Sequence, residues 1–288
     1  MGKKGKKAQA GKRKKLTPKD VSKRLDALAK KLEEELEGAD LFAPLPPTED
    51  CAVCLVPLPY VKSERRYQPC CGNSICKACA IEHEESIKKQ NEEKSAGKKV
   101  TFTCPFCREA IPACVDEEQA QLQARCLKND HHALRLMGGF HRRGECGKTK
   151  DELKALDYYI RAVGLDSPAA CARIGTSYNE GIGVAVDKER AALFERVGAL
   201  RGDIGARYNI GVAEYDFGNH EIGIRHWKIA AEAGYQLSLD ALKGIFNTNC
   251  VGKEFISKEY LDSVYRACHQ AQMEVNSEER EKYSDVKG

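Results

Sequence analysis

The sequence contains no long apolar run. No stretch approaches the roughly 18 apolar residues that a membrane-spanning helix requires, and no apolar signal segment follows the basic residues at the start of the chain. We therefore expect an intracellular protein without a membrane segment, located in the cytoplasm or the nucleus. Because both compartments are reducing, the 14 cysteines should be metal ligands or buried thiols and not disulfides.

The sequence also lacks the motifs of nucleotide-binding and hydrolytic enzymes, since it has no GxGxxG, Walker or GxSxG pattern. Charged residues make up 31% of the chain, but the formal net charge is only +4. Residues 1–16 form a basic tail, and residues 273–288 a second charged tail. We expect the basic tail to be disordered. It could act as a nuclear import signal, contact nucleic-acid phosphates or simply remain solvated, and no interleaved aromatic residues support recognition of bases.

A helix is predicted at residues 17–38. Thr17 can cap it, Pro18 suits its first turn, and Gly38 stops it. Its apolar residues recur every three or four positions and are Val21, Leu25, Leu28 and Leu32. This seam would suit a short coiled coil, a partner protein or another part of the same chain, and the spacing does not decide between them.

Eight cysteines form four close pairs within a stretch of about 60 residues. They are Cys51 and Cys54, Cys70 and Cys71, Cys76 and Cys79, and Cys104 and Cys107. Thiolates at C-x2-C spacing can close on one tetrahedral zinc ion. A stretch of this length buries little apolar surface, whereas a structural zinc ion contributes about 10–16 kcal/mol of apparent binding energy to folding. We therefore expect two zinc ions that stabilise the module and carry out no hydrolytic chemistry.

This arrangement resembles a RING finger, over residues 48–112. Fifteen residues separate Cys54 from Cys70, and the segment Cys-Pro-Phe-Cys-Arg at 104–108 ends the module. The resemblance implies a small α+β module in which the first and third cysteine pairs share one zinc ion, and the second and fourth share the other. The metal ligands would then be Cys51, Cys54, Cys76 and Cys79 for the first site, and Cys70, Cys71, Cys104 and Cys107 for the second.

The adjacent cysteines depart from the usual RING pattern, which has a histidine near this point. If Cys71 were the third ligand, Asn73 would stand where the histidine is expected, and asparagine is a poor zinc ligand. Some RING domains use cysteine at all eight positions, with a Cys-Gly-x-x-Ile-Cys segment that residues 71–76 resemble. In that register Cys70 is the third ligand and Cys71 the fourth. Adjacent ligands on one zinc ion require a bent backbone, and Gly72 would relieve some of that strain.

The resemblance also implies roles for three residues that do not bind metal. In RING ubiquitin ligases an apolar residue before the second ligand and the proline of the last pair contact the ubiquitin-conjugating enzyme. Val53 and Pro105 occupy those positions. A basic residue after the last ligand holds the conjugated ubiquitin in a reactive pose, and Arg108 stands there. Arg108 could also be an ordinary surface arginine.

The chain from about residue 130 to 272 repeats. The first three copies are Ala133 with Met137-Gly138, Ala170 with Ile174-Gly175, and Ala206 with Ile210-Gly211, and they lie 37 and 36 residues apart. A fainter copy begins at Ser238, 32 residues later. The pattern resembles the sel-one-like repeat, a relative of the tetratricopeptide repeat, and divides the region into 130–166, 167–202, 203–234 and 235–272. The resemblance implies an α-solenoid of helix-turn-helix units whose concave face binds proteins.

The predicted fold is therefore mainly α, with a small zinc-stabilised α+β RING module followed by an α-solenoid. The predicted function is a RING-type ubiquitin-protein ligase, a transferase without a covalent intermediate. Its zinc finger would bind a ubiquitin-conjugating enzyme, and its repeats a protein substrate or scaffold. The alternative is a non-catalytic zinc-binding adaptor, which the lack of a large aromatic residue after Cys79 keeps open. We do not expect His83 to be a ligand, and we interpret His131 and His132 as polar surface residues.

Overall fold

The computed structural model of the chain describes residues 16–93, 101–248 and 250–274, so nearly all of both predicted tails lies outside the described residues. Within these ranges the protein is mainly helical, with one two-stranded sheet, as predicted. None of the helices in these ranges is long and apolar enough to span a membrane. The elements are α1 (Pro18–Leu36), β1 (Arg65–Tyr67), β2 (Ser74–Cys76), α2 (Lys77–Glu93), α3 (Val115–Leu127), α4 (His131–Arg143), α5 (Glu152–Val163), α6 (Pro168–Glu180), α7 (Lys188–Leu200), α8 (Ile204–Asp216), α9 (His220–Glu232), α10 (Gln236–Asn247) and α11 (Lys258–Glu274).

Helices α4 to α9 pack as successive hairpins, α4 with α5, α6 with α7 and α8 with α9, while α10 and α11 pack on each other and on α9. In each of these three hairpins a glycine permits close approach of the two helices. A Cβ at Gly138 would lie 2.5 Å from the Tyr159 ring, and one at Gly211 would lie 2.6 Å from the Trp227 ring. The repeated glycines therefore mark the positions where a helix of one hairpin meets its partner.

Helix α1 packs against α5 and α7 of the repeats. Thr17 and Asp20 form a capping box at its start. Val21, Leu25 and Leu32 are at most 1% exposed and belong to the same apolar core as the first repeats. Of the three alternatives for this seam, the structure shows packing on the chain's own repeats, so the seam is not free to form a coiled coil.

Ion pairs and a linker continue this contact along the repeats. The Nε and Nη2 of Arg201 donate hydrogen bonds to the two carboxylate oxygens of Glu35 in α1, at 2.8 and 2.7 Å. Beyond α1, the Phe42 ring lies 4.8 Å from the ring of the buried His226 and 3.8 Å from the guanidinium carbon of Arg225, measured to ring centroids. Arg207 donates to the carbonyl of Leu41. The N-terminal segment thus lies across three of the repeats before the cysteine-rich module begins.

The cysteine-rich module lies along the edge formed by the first turns of α4, α8 and α10. The Tyr67 hydroxyl donates to Asp130, which caps α4, at 2.7 Å. Lys62 forms an ion pair with Asp203, which caps α8. Val61 approaches Gly234, just before α10. These contacts fix the position of the module relative to the repeats.

Candidate metal centres

Two C-x2-C segments adopt the same tight turn. At the first, the Cys51 N–H donates to the Val56 carbonyl at 2.8 Å, and the Leu55 N–H donates to the Cys51 carbonyl at 2.9 Å. At the last, the Cys104 N–H donates to Glu109 at 2.7 Å, and the Arg108 N–H donates to Cys104 at 3.0 Å. Each turn presents two thiols on one side of a short loop, which is the arrangement a tetrahedral metal requires.

The adjacent cysteines lie in a third turn of the same kind. The Gln68 N–H donates to the Asn73 carbonyl, and the Gly72 N–H donates to the Gln68 carbonyl, both at 2.8 Å. Gln68 therefore takes the place that Cys51 has in the first turn, while Cys71 matches Cys54. This turn supplies its two thiols from Cys70 and Cys71 because its first position carries no thiol.

The residue after the last thiol has a positive φ in all three turns. The angle is 59° at Leu55, 63° at Arg108 and 80° at Gly72. Glycine takes this left-handed conformation without strain, whereas leucine and arginine pay a cost for it. The predicted role of Gly72 at the bend is consistent with this geometry. Its lack of a side chain also leaves room for Arg125, whose guanidinium occupies the place where a Cβ would lie.

The eight thiols fall into two groups of four, here called the first and the second cysteine set. The first set is Cys51, Cys54, Cys76 and Cys79, and the second is Cys70, Cys71, Cys104 and Cys107. Within each set the four sulfur atoms lie within 4.8 Å of one another. The Cys54–Cys76 sulfur distance is 4.0 Å, the Cys71–Cys104 distance 3.9 Å and the Cys70–Cys107 distance 3.5 Å.

These separations fit a tetrahedral metal site and not disulfides. Metal–sulfur bonds of about 2.3 Å imply sulfur–sulfur edges of about 3.8 Å, whereas a disulfide bond is about 2.0 Å long. All 14 cysteines are free thiols. Each set could therefore hold one metal ion, and the two sets draw on alternating pairs along the chain.

The first set lies where β2 meets α2. Cys76 ends β2, and Cys79 lies in the first turn of α2. The Cys76 N–H points at the Cys51 sulfur at 3.3 Å, and the Cys79 N–H at the Cys76 sulfur at 3.5 Å. Backbone donors of this kind stabilise negative charge on the sulfur atoms that a metal would bind.

The thiols of the first set influence one another's ionisation. Hydrogen bonds from Cys76 and Cys79 lower the pKa of Cys51, whereas burial raises the pKa of Cys54 to about 11. Burial therefore opposes negative charge on Cys54. A divalent cation would compensate the additional negative charge.

The two sets differ in exposure. All four cysteines of the first set are buried, whereas Cys70 and Cys71 are half-buried and Cys107 is exposed. The second set is also held from outside the module, because Arg125 in α3 donates a hydrogen bond to the Cys71 carbonyl. His83 belongs to neither set, since its Nε2 donates to the Thr103 carbonyl at 2.8 Å and so ties α2 to the last turn.

The residues predicted to bind protein partners lie within the first and last turns. Val53 and Pro105 are half-buried, and Arg108 is exposed. Two further apolar residues were not predicted, Leu55 at 65% exposed and Phe106 at 51% exposed. Each lies next to a ligand-type cysteine, a position from which the sequence could have suggested them.

Comparisons with known proteins add a structural likeness. No family model matches the chain, and a search of the curated proteins found no match. Among solved structures, the chain is similar to the crystal structure of a Sel1 repeat protein from Oxalobacter formigenes, with 27% identity and a TM-score of 0.47. The likeness covers 54% of this chain and 64% of that one, so this chain spans less than two thirds of the length of the protein it resembles.

Proposed function

We propose that the protein is a RING-type ubiquitin-protein ligase whose two cysteine sets bind zinc. The observation that carries this proposal is the alternation of the two sets. Cys51 and Cys54 meet Cys76 and Cys79, while the intervening pair meets the last. Two independent zinc ribbons would pair neighbouring segments instead, so the alternation favours the cross-braced arrangement of a RING finger.

Zinc suits both sets because it prefers four-coordinate tetrahedral sites built from thiolates. The four cysteines of each set would complete its coordination and leave no open position for a substrate. Bound zinc would supply folding energy and hold the three turns at fixed positions. The chemistry of ubiquitin transfer would belong to the conjugating enzyme and to the attacking lysine.

The surface for the conjugating enzyme would be formed by the first and last turns. Val53 and Pro105 are the residues that the RING resemblance assigns to this contact. Leu55, two residues after Val53, and Phe106, directly after Pro105, add exposed apolar side chains to these two turns. Exposed apolar side chains grouped on one small module are characteristic of a protein-binding site.

Arg108 would restrain the ubiquitin that is carried by the conjugating enzyme. Its side chain is exposed and forms no ion pair with any residue in the described part of the chain. An unengaged guanidinium can donate several hydrogen bonds to ubiquitin and the conjugating enzyme at once. Holding the thioester in one orientation would accelerate attack by a lysine without a covalent intermediate on this chain.

The repeats would bind the protein substrate or a scaffold. Stacked helical hairpins offer an extended surface, of which α1 covers the part formed by α5 and α7. The alternative is an adaptor that binds partners without promoting transfer. The segment after Cys79 keeps this alternative open, because it lacks the large aromatic residue that many active RING fingers have there.

The test is ubiquitin-chain formation by the zinc-loaded protein with a broad panel of conjugating enzymes. We expect activity with at least one enzyme, and loss of about tenfold or more for Arg108→Ala, because charge-assisted hydrogen bonds contribute about 1.5–3 kcal/mol. Val53→Ala should weaken binding of the conjugating enzyme itself, whereas Arg108→Ala should leave that binding intact.

Arg66→Ala is the matched control, because Arg66 is an exposed arginine of the same module that pairs with Glu84. Its activity should equal that of the wild type. If the wild type is silent across the whole panel while both zinc ions are present, the ligase proposal fails and the adaptor remains.

A further inference from the structure

A third group of metal-binding side chains lies between the cysteine-rich module and the repeats. Glu49 stands two residues before Cys51, while His131 and His132 begin α4. One donor atom from each of the three side chains lies within 4.8 Å of the others. The Glu49 Oε2 is 3.8 Å from the His132 Nε2, and the two imidazole rings are 4.1 Å apart between centroids.

His131 carries a ring nitrogen without a partner, and His132 carries one whose partner is the Glu49 carboxylate at 3.8 Å. His131 Nδ1 and His132 Nε2 are shielded from solvent, and neither has a hydrogen bond to the protein. Both residues are half-buried at the start of α4. A shielded nitrogen without a hydrogen bond costs free energy, and a ligand that binds both nitrogens would recover it.

We propose that Glu49, His131 and His132 bind a third metal ion, a divalent transition metal of the kind that favours imidazole, such as zinc. Two histidines and one glutamate form an established zinc donor set that leaves the fourth position to water. Bonds of about 2.0–2.2 Å imply donor separations of about 3.3–3.5 Å. The 3.8 Å between Glu49 and His132 must therefore shorten by only a few tenths of an ångström.

The ion would join the module to the first repeat. Glu49 lies just before the first cysteine turn, whereas the two histidines belong to α4, the helix that Asp130 caps. Arg125 and Lys128 line the same surface cleft, while Arg65 acts electrostatically on Glu49 and Arg135 on His131. Because Asp130 neutralises Arg125 through an ion pair, part of their repulsion toward a metal is offset. We expect the third ion to bind more weakly than those in the two cysteine sets.

The experiment counts metal ions on the full-length chain. After zinc loading, native mass spectrometry of the wild type should show three zinc ions, of which the third is lost first on dilution. The His131→Ala/His132→Ala variant should retain two. Glu49→Gln should weaken binding of the third ion at least tenfold. It serves as the second variant because the Glu49 side chain is 60% exposed, so its replacement leaves folding intact.

Cobalt distinguishes this site from adventitious binding to other thiols. The first two Co²⁺ equivalents should produce thiolate-to-cobalt charge-transfer absorption, whereas the third should add only weak visible bands. His269→Ala, a change at an exposed histidine of α11, should keep all three equivalents. The proposal is overturned if the wild type stops at two ions, if the third gives thiolate absorption, or if it survives in the double variant. None of these readouts depends on ligase activity.

Discussion

The ammonium group of Lys62 lies 2.5 Å from a carboxylate oxygen of Asp203, which is 141 residues away in the sequence. The Asp203 side chain is only 2% exposed, whereas that of Lys62 is 45% exposed. The second carboxylate oxygen accepts the Ala206 N–H at 2.9 Å. One buried carboxylate therefore caps α8 and also forms an ion pair with Lys62 of the cysteine-rich module.

This relationship predicts how replacements at Asp203 affect stability. Burial opposes ionisation of Asp203, but Lys62 and the backbone hydrogen bonds outweigh it and keep its pKa below the ordinary value. Burial also lowers the pKa of Lys62, so part of the ion-pair energy is offset. Asp203→Asn should retain the cap but lose the pair, and so lower the free energy of unfolding by about 2 kcal/mol. Asp203→Ala should cost about 1 kcal/mol more.

Urea unfolding of the zinc-loaded chain, followed by circular dichroism, measures both effects. Glu145→Gln is the control, because it removes an ion pair with Arg143 in which both side chains are about half exposed. It should change the free energy of unfolding by less than about 0.5 kcal/mol. Equal stability of Asp203→Asn and the wild type would contradict the assigned role.

A matched pair of glycines tests the packing within the repeats. At Gly211 a Cβ would lie 2.6 Å from the Trp227 ring and 3.0 Å from the Gly223 carbonyl, while at Gly244 it would meet nothing within 4 Å. Gly211→Ala should therefore destabilise the fold by about 1–3 kcal/mol through overpacking. Gly244→Ala, in the middle of α10, should stabilise it by about 0.5–1 kcal/mol. If Gly211→Ala is no less stable than the wild type in the same urea experiment, the close packing of this hairpin is contradicted.

The sequence predicted the features that depend on local spacing. The C-x2-C intervals and the 36-residue repeat are short-range patterns, and the structure places the eight cysteines and the hairpin glycines accordingly. The adjacent pair was harder to assign. Its turn is recognisable only from the backbone hydrogen bonds around Gln68, because the residue in the place of Cys51 bears no thiol.

Contacts between distant segments could not be predicted in this way. The seam of α1 is equally apolar whether it faces a second chain or the chain's own α5 and α7, so its spacing carries no information on the partner. Glu49 is 82 residues from His131, and only the position of the module on the repeats brings them together. No local pattern could have indicated that group.

Replacements in the third turn test which residues of the second set bind metal. Cys71→Ser should reduce the zinc bound to the two cysteine sets from two ions to one, because three thiols and a hydroxyl hold zinc poorly at neutral pH. Asn73→Ala should keep both, since Asn73 contributes its backbone carbonyl to the turn and this survives the change. Each replacement is combined with His131→Ala/His132→Ala, which removes the proposed third site. Native mass spectrometry then gives the number of zinc ions bound to the two cysteine sets. Loss of a zinc ion from Asn73→Ala and none from Cys71→Ser would reverse the assignment.

The buried His226 predicts how stability depends on pH. Burial lowers its pKa from 6.5 to about 4, so the folded protein keeps this imidazole neutral while the unfolded chain protonates it. Stability is therefore fully present above pH 6.5 and falls as the pH decreases toward 4, by about 1.4 kcal/mol at pH 5.5. His226→Gln should lower stability at pH 7.5 but lose less on going to pH 5.5, with a difference of about 1 kcal/mol between the two chains. His269→Ala, at an exposed position, should behave like the wild type. An identical pH dependence in His226→Gln and the wild type would show that other groups, and not the imidazole beneath Phe42, control the acid sensitivity of the fold.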